Sequence, residues 1–150
     1  MSTFASVLEQ PQPATVVAGK RQTVLIIDDD DVLAEVLARR LKHHGFDTLT
    51  AGSGELGLEK ARSERPDLIV LDLRLPDADG LSICQQLADS PETCTVPVII
   101  LSGLEAPDIL RRCRAAGCHY FVHKPHDPSA LLILIRHAIR EAASWDECDG

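Results

Sequence analysis

Residues 66–80 read PDLIVLDLRLPDADG, and this stretch decides the fold. Its apolar centre, Leu68 to Leu71, is short and unbroken, as in a strand buried on both faces of a parallel sheet. At Asp72 the chain changes character. Residues 73–80 are rich in Pro, Asp and Gly, so a loop follows the strand's end.

The same alternation extends in both directions. Upstream, residues 23–27 form a continuous apolar run, and Leu33, Val36, Leu37 and Leu41 then recur at helical spacing until Gly45 supplies a stop. Residues 46–51 read as a second, weaker strand, and Ser53 is placed to cap a helix that ends before Pro66. Downstream, residues 81–88 give a short helix, 97–101 a fourth strand, 107–116 a fourth helix and 120–123 a fifth strand. A last helix begins near Pro128, where proline fits the first turn, and runs to about Ala143. Strands alternating with helices predict an α/β fold with a parallel sheet. One folded domain over 23–143 is expected. Residues 1–22, interrupted by Pro11 and Pro13, read as a flexible arm, and residues 144–150 as a C-terminal tail.

Composition narrows the function. Acidic residues number 23 against 15 Lys plus Arg, and a net charge of -8 repels phosphate backbones and anionic lipid, so neither nucleic acid nor a membrane surface is the expected partner. The longest purely apolar run covers residues 130–135, far short of the roughly 20 residues that cross a bilayer. Five cysteines in no CxxC pairing point to reduced thiols and a cytoplasmic location. A zinc site built from Cys113, Cys118, His119 and His123 matches no common spacing.

In open parallel sheets ligands bind at the carboxyl ends of the strands, so the residues there decide function. Strand one ends in Asp28 and Asp29, strand three in Asp72, strand four in Ser102 and strand five in Lys124 followed by Pro125. Taken singly, each has a bland reading: a helix-start carboxylate, an Asx turn, a cap, a surface charge. Their joint placement on one edge does not. Three carboxylates held together raise one another's pKa values and need a positive partner. Oxygen-only ligands beside one ammonium suit Mg²⁺. Asp72 is then placed to attack phosphorus, with Lys124 and Ser102 as clamps on phosphoryl oxygens.

These residues carry a resemblance. The strings VLIIDDDDVL (24–33), PDLIVLDLRLPDADG (66–80), PVIILSG (97–103) and YFVHKP (120–125) resemble, in order, the four signature segments of the receiver domain of bacterial two-component response regulators, stand-alone receivers included. The resemblance implies a flavodoxin-like three-layer α/β/α fold with strand order 2-1-3-4-5. It implies that Asp72 accepts a phosphoryl group from the phosphohistidine of a histidine kinase or a histidine phosphotransfer protein. Asp29 corresponds to the direct Mg²⁺ ligand, Asp28 to its water-linked neighbour, and the backbone carbonyl of Arg74 to a third protein ligand. Ser102 and Phe121 correspond to the switch pair that turns toward the phosphoryl group. Lys124 corresponds to the phosphate-binding lysine, with a cis bond to Pro125 implied. Phe121 lacks the hydroxyl of the commoner tyrosine, His126 stands where an apolar residue is usual, and Arg74 and Leu104 occupy variable positions beside the pocket. The alternatives are a receiver-shaped module that never sees phosphate and an Asp-nucleophile phosphatase of the haloacid-dehalogenase type. The phosphatase needs an acid two residues after the nucleophile, where this chain has Arg74. As a receiver, the chain would catalyse only its own phosphoryl transfer and dephosphorylation.

The last helix suggests a partner surface. At 100° per residue Leu131, Leu132, Ile135, Ala138, Ile139 and Ala142 gather on one side, while Ile133 points away and Leu134 lies on the flank. With Arg111, Arg112 and Arg114 of the preceding helix as a basic rim, Ile133 and Leu134 would form a docking patch for a downstream protein effector or, on phosphorylation, a second copy.

Overall fold

The computed structural model describes residues 21–103, 108–124 and 127–149, with side chains of the last helix as far as residue 144. Strands β1 (Thr23–Ile27), β2 (Asp47–Ala51), β3 (Leu68–Leu71), β4 (Val98–Ser102) and β5 (Tyr120–His123) alternate with helices α1 (Asp31–His43), α2 (Gly54–Glu64), α3 (Gly80–Asp89), α4 (Ile109–Ala115) and α5 (Pro128–Asp149). The sheet is parallel throughout and ordered β2-β1-β3-β4-β5. Helices cover both faces. Leu58 and Ala61 of α2, Ile83, Cys84 and Leu87 of α3 and Ile109 and Cys113 of α4 pack on one side. Ala34, Leu37, Ala38 and Leu41 of α1 and Leu131, Leu132, Ile135 and Ala138 of α5 pack on the other. This is the flavodoxin-like three-layer arrangement, and the two-sided cover explains why all four residues of β3 are buried.

Local chemistry sets the helix ends. The Asp30 carboxylate accepts from the Val32 and Leu33 amides, both at 3.1 Å, and Asp31 in the first turn with Arg40, Lys42 and His43 in the last complements the helix dipole. After α1, Gly45 takes φ +97°, a left-handed turn open to glycine, as expected of the stop. Ser53 caps α2 through the Leu56 amide at 3.2 Å.

Several elements differ from their expected form. Leu33 and Val36, which recur with Leu37 and Leu41 at helical spacing, are 47% and 59% exposed. The face that meets the sheet is centred on Ala34, Leu37, Ala38 and Leu41, and its two alanines let the helix lie close. Phe46 precedes β2 instead of opening it, and is buried with the Arg136 guanidinium 5.9 Å above its ring. β4 runs one residue further, so Ser102 is its last residue. α4 begins at Ile109, and Pro107 lies outside the described residues. α5 continues past Ala143 to Asp149, so residues expected as a tail are helical. Residues 1–20 of the expected arm, Leu104, and Pro125 and His126 with the cis bond also lie outside the described residues.

Candidate functional site

The ladder of the sheet carries one step past the strands and fixes two carboxylates. The Asp28 amide donates to the Ala51 carbonyl and the Asp72 amide to the Ile27 carbonyl, each at 3.0 Å. Both side chains are therefore held at the sheet's carboxyl edge, 7% and 8% exposed. Each closes a small turn on the backbone two residues on. Asp28 Oδ1 accepts from the Asp30 amide at 3.0 Å, and Asp72 Oδ1 from the Arg74 amide at 3.2 Å.

The other oxygens face a lysine. Lys124, tied to β4 by its amide's bond to the Ser102 carbonyl at 2.9 Å, sets Nζ 3.5 Å from Asp28 Oδ2 and 3.4 Å from Asp72 Oδ2. These contacts are longer than the roughly 2.8 Å of a tight charged pair, so the ammonium is shared between two carboxylates and bound closely to neither. Asp29, exposed, completes a group in which carboxylate oxygens of Asp28, Asp29 and Asp72 all lie within 4.8 Å of one another. Burial pushes the Asp28 carboxyl above its usual range, and the Asp72 carboxylate pushes the same way against the Asp30 amide and Lys124. Among the described residues one lysine ammonium faces three carboxyl groups, a formal excess of two negative charges. An all-oxygen donor set with that residual charge fits Mg²⁺ and not zinc, which favours nitrogen and sulfur.

The remaining expected residues fall into two places. Ser102, fully buried, ends β4, and Phe121, half-buried on β5, packs against the core of the α2, α3 and α4 face. Arg74 is exposed on the loop after β3, and its backbone pairs antiparallel with that of Asp79 across the loop. Ile133, at 67% exposure, lies on α5, and Arg111, Arg112 and Arg114 on α4, all outside the carboxylate group. Leu134 is half-buried against the core, which removes it from the surplus the sequence suggested. Leu110 of α4, half exposed, was not anticipated.

The zinc reading finds no support: among the described residues, Asp28, Asp29 and Asp72 form the group with metal-ligand spacing. Cys84 and Cys113 are buried in the core, Cys118 is half-buried against it and Cys94 is exposed. Burial pushes Cys84 up to about 12 and Cys118 up to about 11, so neither is a nucleophile at neutral pH.

Two features escaped the sequence reading. Asp77, read only as a loop residue, accepts from the Gly54 amide at 2.8 Å and the Glu55 amide at 3.1 Å, bonds to an element 22 and 23 residues away. Val32, Leu33 and Val36 form an exposed apolar face on α1, and a groove of about 510 Å³ runs from Leu33 and Val36 to Asp72 and Lys124. An apolar stripe wider than the sheet can cover was the available signal for the second.

Comparison with known proteins agrees with this geometry. The family model of the response regulator receiver domain matches residues 24–136. The chain is 38% identical over 122 residues to the DNA-binding response regulator MtrA of Mycolicibacterium smegmatis, covering 80% of this chain and 51% of that protein. It is 37% identical over 131 residues to the transcriptional regulatory protein CseB of Streptomyces coelicolor, covering 85% and 54%. The chain thus spans about half the length of the curated relatives it matches. Among solved structures, the receiver domain of Francisella response regulator 1452 aligns with a TM-score of 0.74 at 27% identity over 81% of this chain and 98% of that one. A receiver domain protein of Methanospirillum hungatei JF-1 shares the fold, with a TM-score of 0.79 at 23% identity over 83% and 98%.

Proposed function

The chain belongs to the response regulator receiver family, the phosphoacceptor signalling domains of two-component systems, and on that premise we propose that Asp72 is its phosphoacceptor. The observation that carries the assignment is the convergence of Asp28, Asp29 and Asp72 with one lysine ammonium spanning two of them. A carboxylate oxygen of Asp72 attacks the phosphorus of a donor phosphohistidine; the new O–P bond forms as the P–N bond breaks, and the imidazole leaves. Lys124, already within 3.4 Å of Asp72, follows the transferred charge and neutralises one phosphoryl oxygen. Asp28, Asp29, Asp72 and the Arg74 carbonyl would hold Mg²⁺, which when bound neutralises charge on the phosphoryl oxygens. Ser102 and Phe121 are the switch pair. The domain catalyses only its own phosphorylation and dephosphorylation, in which water cleaves the aspartyl phosphate and releases inorganic phosphate.

Receiver domains interact with histidine kinases and with downstream effectors. A donor must bring its phosphorus within about 3–3.5 Å of Asp72. The exposed Val32, Leu33 and Val36 at the rim of that site suit the apolar flank of a histidine kinase or histidine phosphotransfer protein. Ile133 of α5 and, on α4, Leu110 with Arg111, Arg112 and Arg114 are exposed and suit docking of a protein effector or a second, phosphorylated copy. With a net charge of -8, this chain's partners are proteins and not nucleic acid. No described helix is long and apolar enough to cross a membrane, and we assign the protein to the cytoplasm with its donor.

Incubation with a small acyl phosphate and Mg²⁺ tests the assignment. The protein should gain a hydroxylamine-labile phosphoryl group, absent in Asp72→Asn and in EDTA. Labelling of Asp72→Asn at the wild-type level would move the acceptor elsewhere.

A further inference from the structure

The loop that carries Asp72 is held at both ends by its own chain. The Asp72 carboxylate takes the Arg74 amide, the Gly80 amide donates to the Leu73 carbonyl at 3.0 Å, and Asp79 caps α3 through the Leu81 amide at 3.1 Å. Its apex is held differently. Asp77 reaches across to α2 and takes the Gly54 and Glu55 amides, two of the four N–H groups that a helix start leaves without partners inside the helix. The two bonds hold the Asp77 carboxyl below its usual range. Packing at this junction is close: a Cβ added to Gly54 would lie 3.2 Å from the Ala78 Cβ and 2.8 Å from Ile83 Cδ1.

The position of α2 gives these bonds their meaning. α2 begins three residues after Ala51, the last residue of β2, and the Ala51 carbonyl accepts the Asp28 amide. One half of the carboxylate group, Asp28 and Asp29, thus belongs to the β1 and β2 side. The other half, Asp72 with Arg74, belongs to the β3 loop. Asp77 joins the halves from outside the group.

We propose that Asp77 is a positioning residue that clamps the phosphoacceptor loop to the first turn of α2 and so sets the distance between the two halves of the cation site. This rests on the phosphoacceptor reading above. Asp77 touches neither the cation nor the phosphoryl group, and acts through the loop that presents Asp72 and the Arg74 carbonyl. Removing it leaves both loop ends tied but lets the apex shift, so the ligands are no longer preset for a small cation that demands near-octahedral geometry.

Ser53 provides the control, because its hydroxyl caps the same helix through Leu56 without touching the loop. Mg²⁺ binding to the unphosphorylated protein is measured by titration calorimetry, and labelling by acyl phosphate is followed as a function of Mg²⁺. Asp77→Ala should raise the Mg²⁺ Kd about tenfold, the low end for loss of a group that orients metal ligands. Its labelling rate at saturating Mg²⁺ should stay within about twofold of wild type. Asp77→Asn keeps one acceptor for the Gly54 amide and should fall between, and it serves if the alanine variant is too unstable to titrate. Ser53→Ala should lower the melting temperature with no change in Kd. Wild-type Mg²⁺ affinity in both Asp77 variants would overturn the clamp, as would an equal loss in Ser53→Ala, which would trace the effect to the helix end. A wild-type protein that neither binds Mg²⁺ nor takes label would instead overturn the phosphoacceptor reading and the clamp with it.

Discussion

Gly80→Ala sets two opposed effects against each other. Gly80 opens α3, and alanine is favoured over glycine in a helix by up to about 1 kcal/mol, so propensity alone predicts stabilisation. The added Cβ, however, would stand 2.4 Å from the Leu73 Cα, 2.7 Å from the Asp72 carbonyl oxygen and 2.9 Å from the Leu73 carbonyl oxygen. Carbon atoms rest at about 3.5–4.0 Å, so something must move by more than about 1 Å. All three contacts are backbone, and no side-chain rotation relieves them. Overpacking costs about 1–3 kcal/mol, and losing the bond from the Gly80 amide to the Leu73 carbonyl adds about 1 kcal/mol. The clash therefore wins by about 1–3 kcal/mol net, which corresponds to a fall in melting temperature of roughly 2–12 °C for a chain of this size. Because one contact is the carbonyl of Asp72 itself, the displacement reaches the proposed acceptor, and labelling by acyl phosphate should slow by about tenfold or more. Circular dichroism melting and a labelling time course read the two effects separately. A variant that melts at or above wild type and labels at the wild-type rate would show the contact to be soft and the reasoning wrong.

Lys124→Ala removes the charge that Asp28 and Asp72 share; it should still accept label but fail to pass the change to β5, so beryllofluoride-induced NMR shifts near Phe121 matching wild type would count against it. Ile133→Glu should leave folding and labelling intact and abolish phosphorylation-dependent association, which sedimentation of the beryllofluoride-bound protein measures; undiminished association would put the output face elsewhere. His119 Nδ1 accepts the Val98 amide at 3.1 Å, which requires an unprotonated nitrogen, and burial lowers its pKa in the fold. Below the unfolded value of about 6.5 the unfolded chain takes up the proton first. The His119 contribution is thus complete above about pH 6.5 and declines as pH falls through that value toward the lowered folded one. Urea midpoints at about pH 7.5 and about pH 5 should differ less in His119→Ala than in wild type, and an equal difference would exclude His119 as a source.

The strand-end residues were legible because the parallel sheet translates sequence position directly into space. An unbroken run such as 68–71 must be buried on both faces, and in a parallel sheet the residue after every such run arrives at the same edge. Asp28, Asp72 and Lys124 therefore had to converge, and they do, with the Lys124 ammonium 3.5 and 3.4 Å from the two carboxylates. Strand order did not follow from the runs themselves, since several orders bury the same residues; it came with the family resemblance.

Other features depended on packing between elements distant in the chain. Periodicity marked Leu33 and Val36 as apolar but could not say which face of α1 would meet the sheet, and that face is centred on Ala34, Leu37, Ala38 and Leu41 instead. The same limit applies to Leu134, whose flank position was compatible with exposure until the core reached it. Asp77 shows the difference most plainly: an Asp in PDADG is a turn residue by composition, and its bonds to Gly54 and Glu55 exist only because α2 and the β3 loop meet at the sheet's carboxyl edge. The sequence by itself determined the class of fold, the edge at which the polar strand-end residues meet and the residue types gathered there, because burial pattern and strand direction are local and repeat along the chain. Tertiary structure alone decided which apolar residues stay exposed, how Lys124 is shared between two carboxylates and what anchors the loop after β3, because each depends on a distance between segments whose separation no local pattern records.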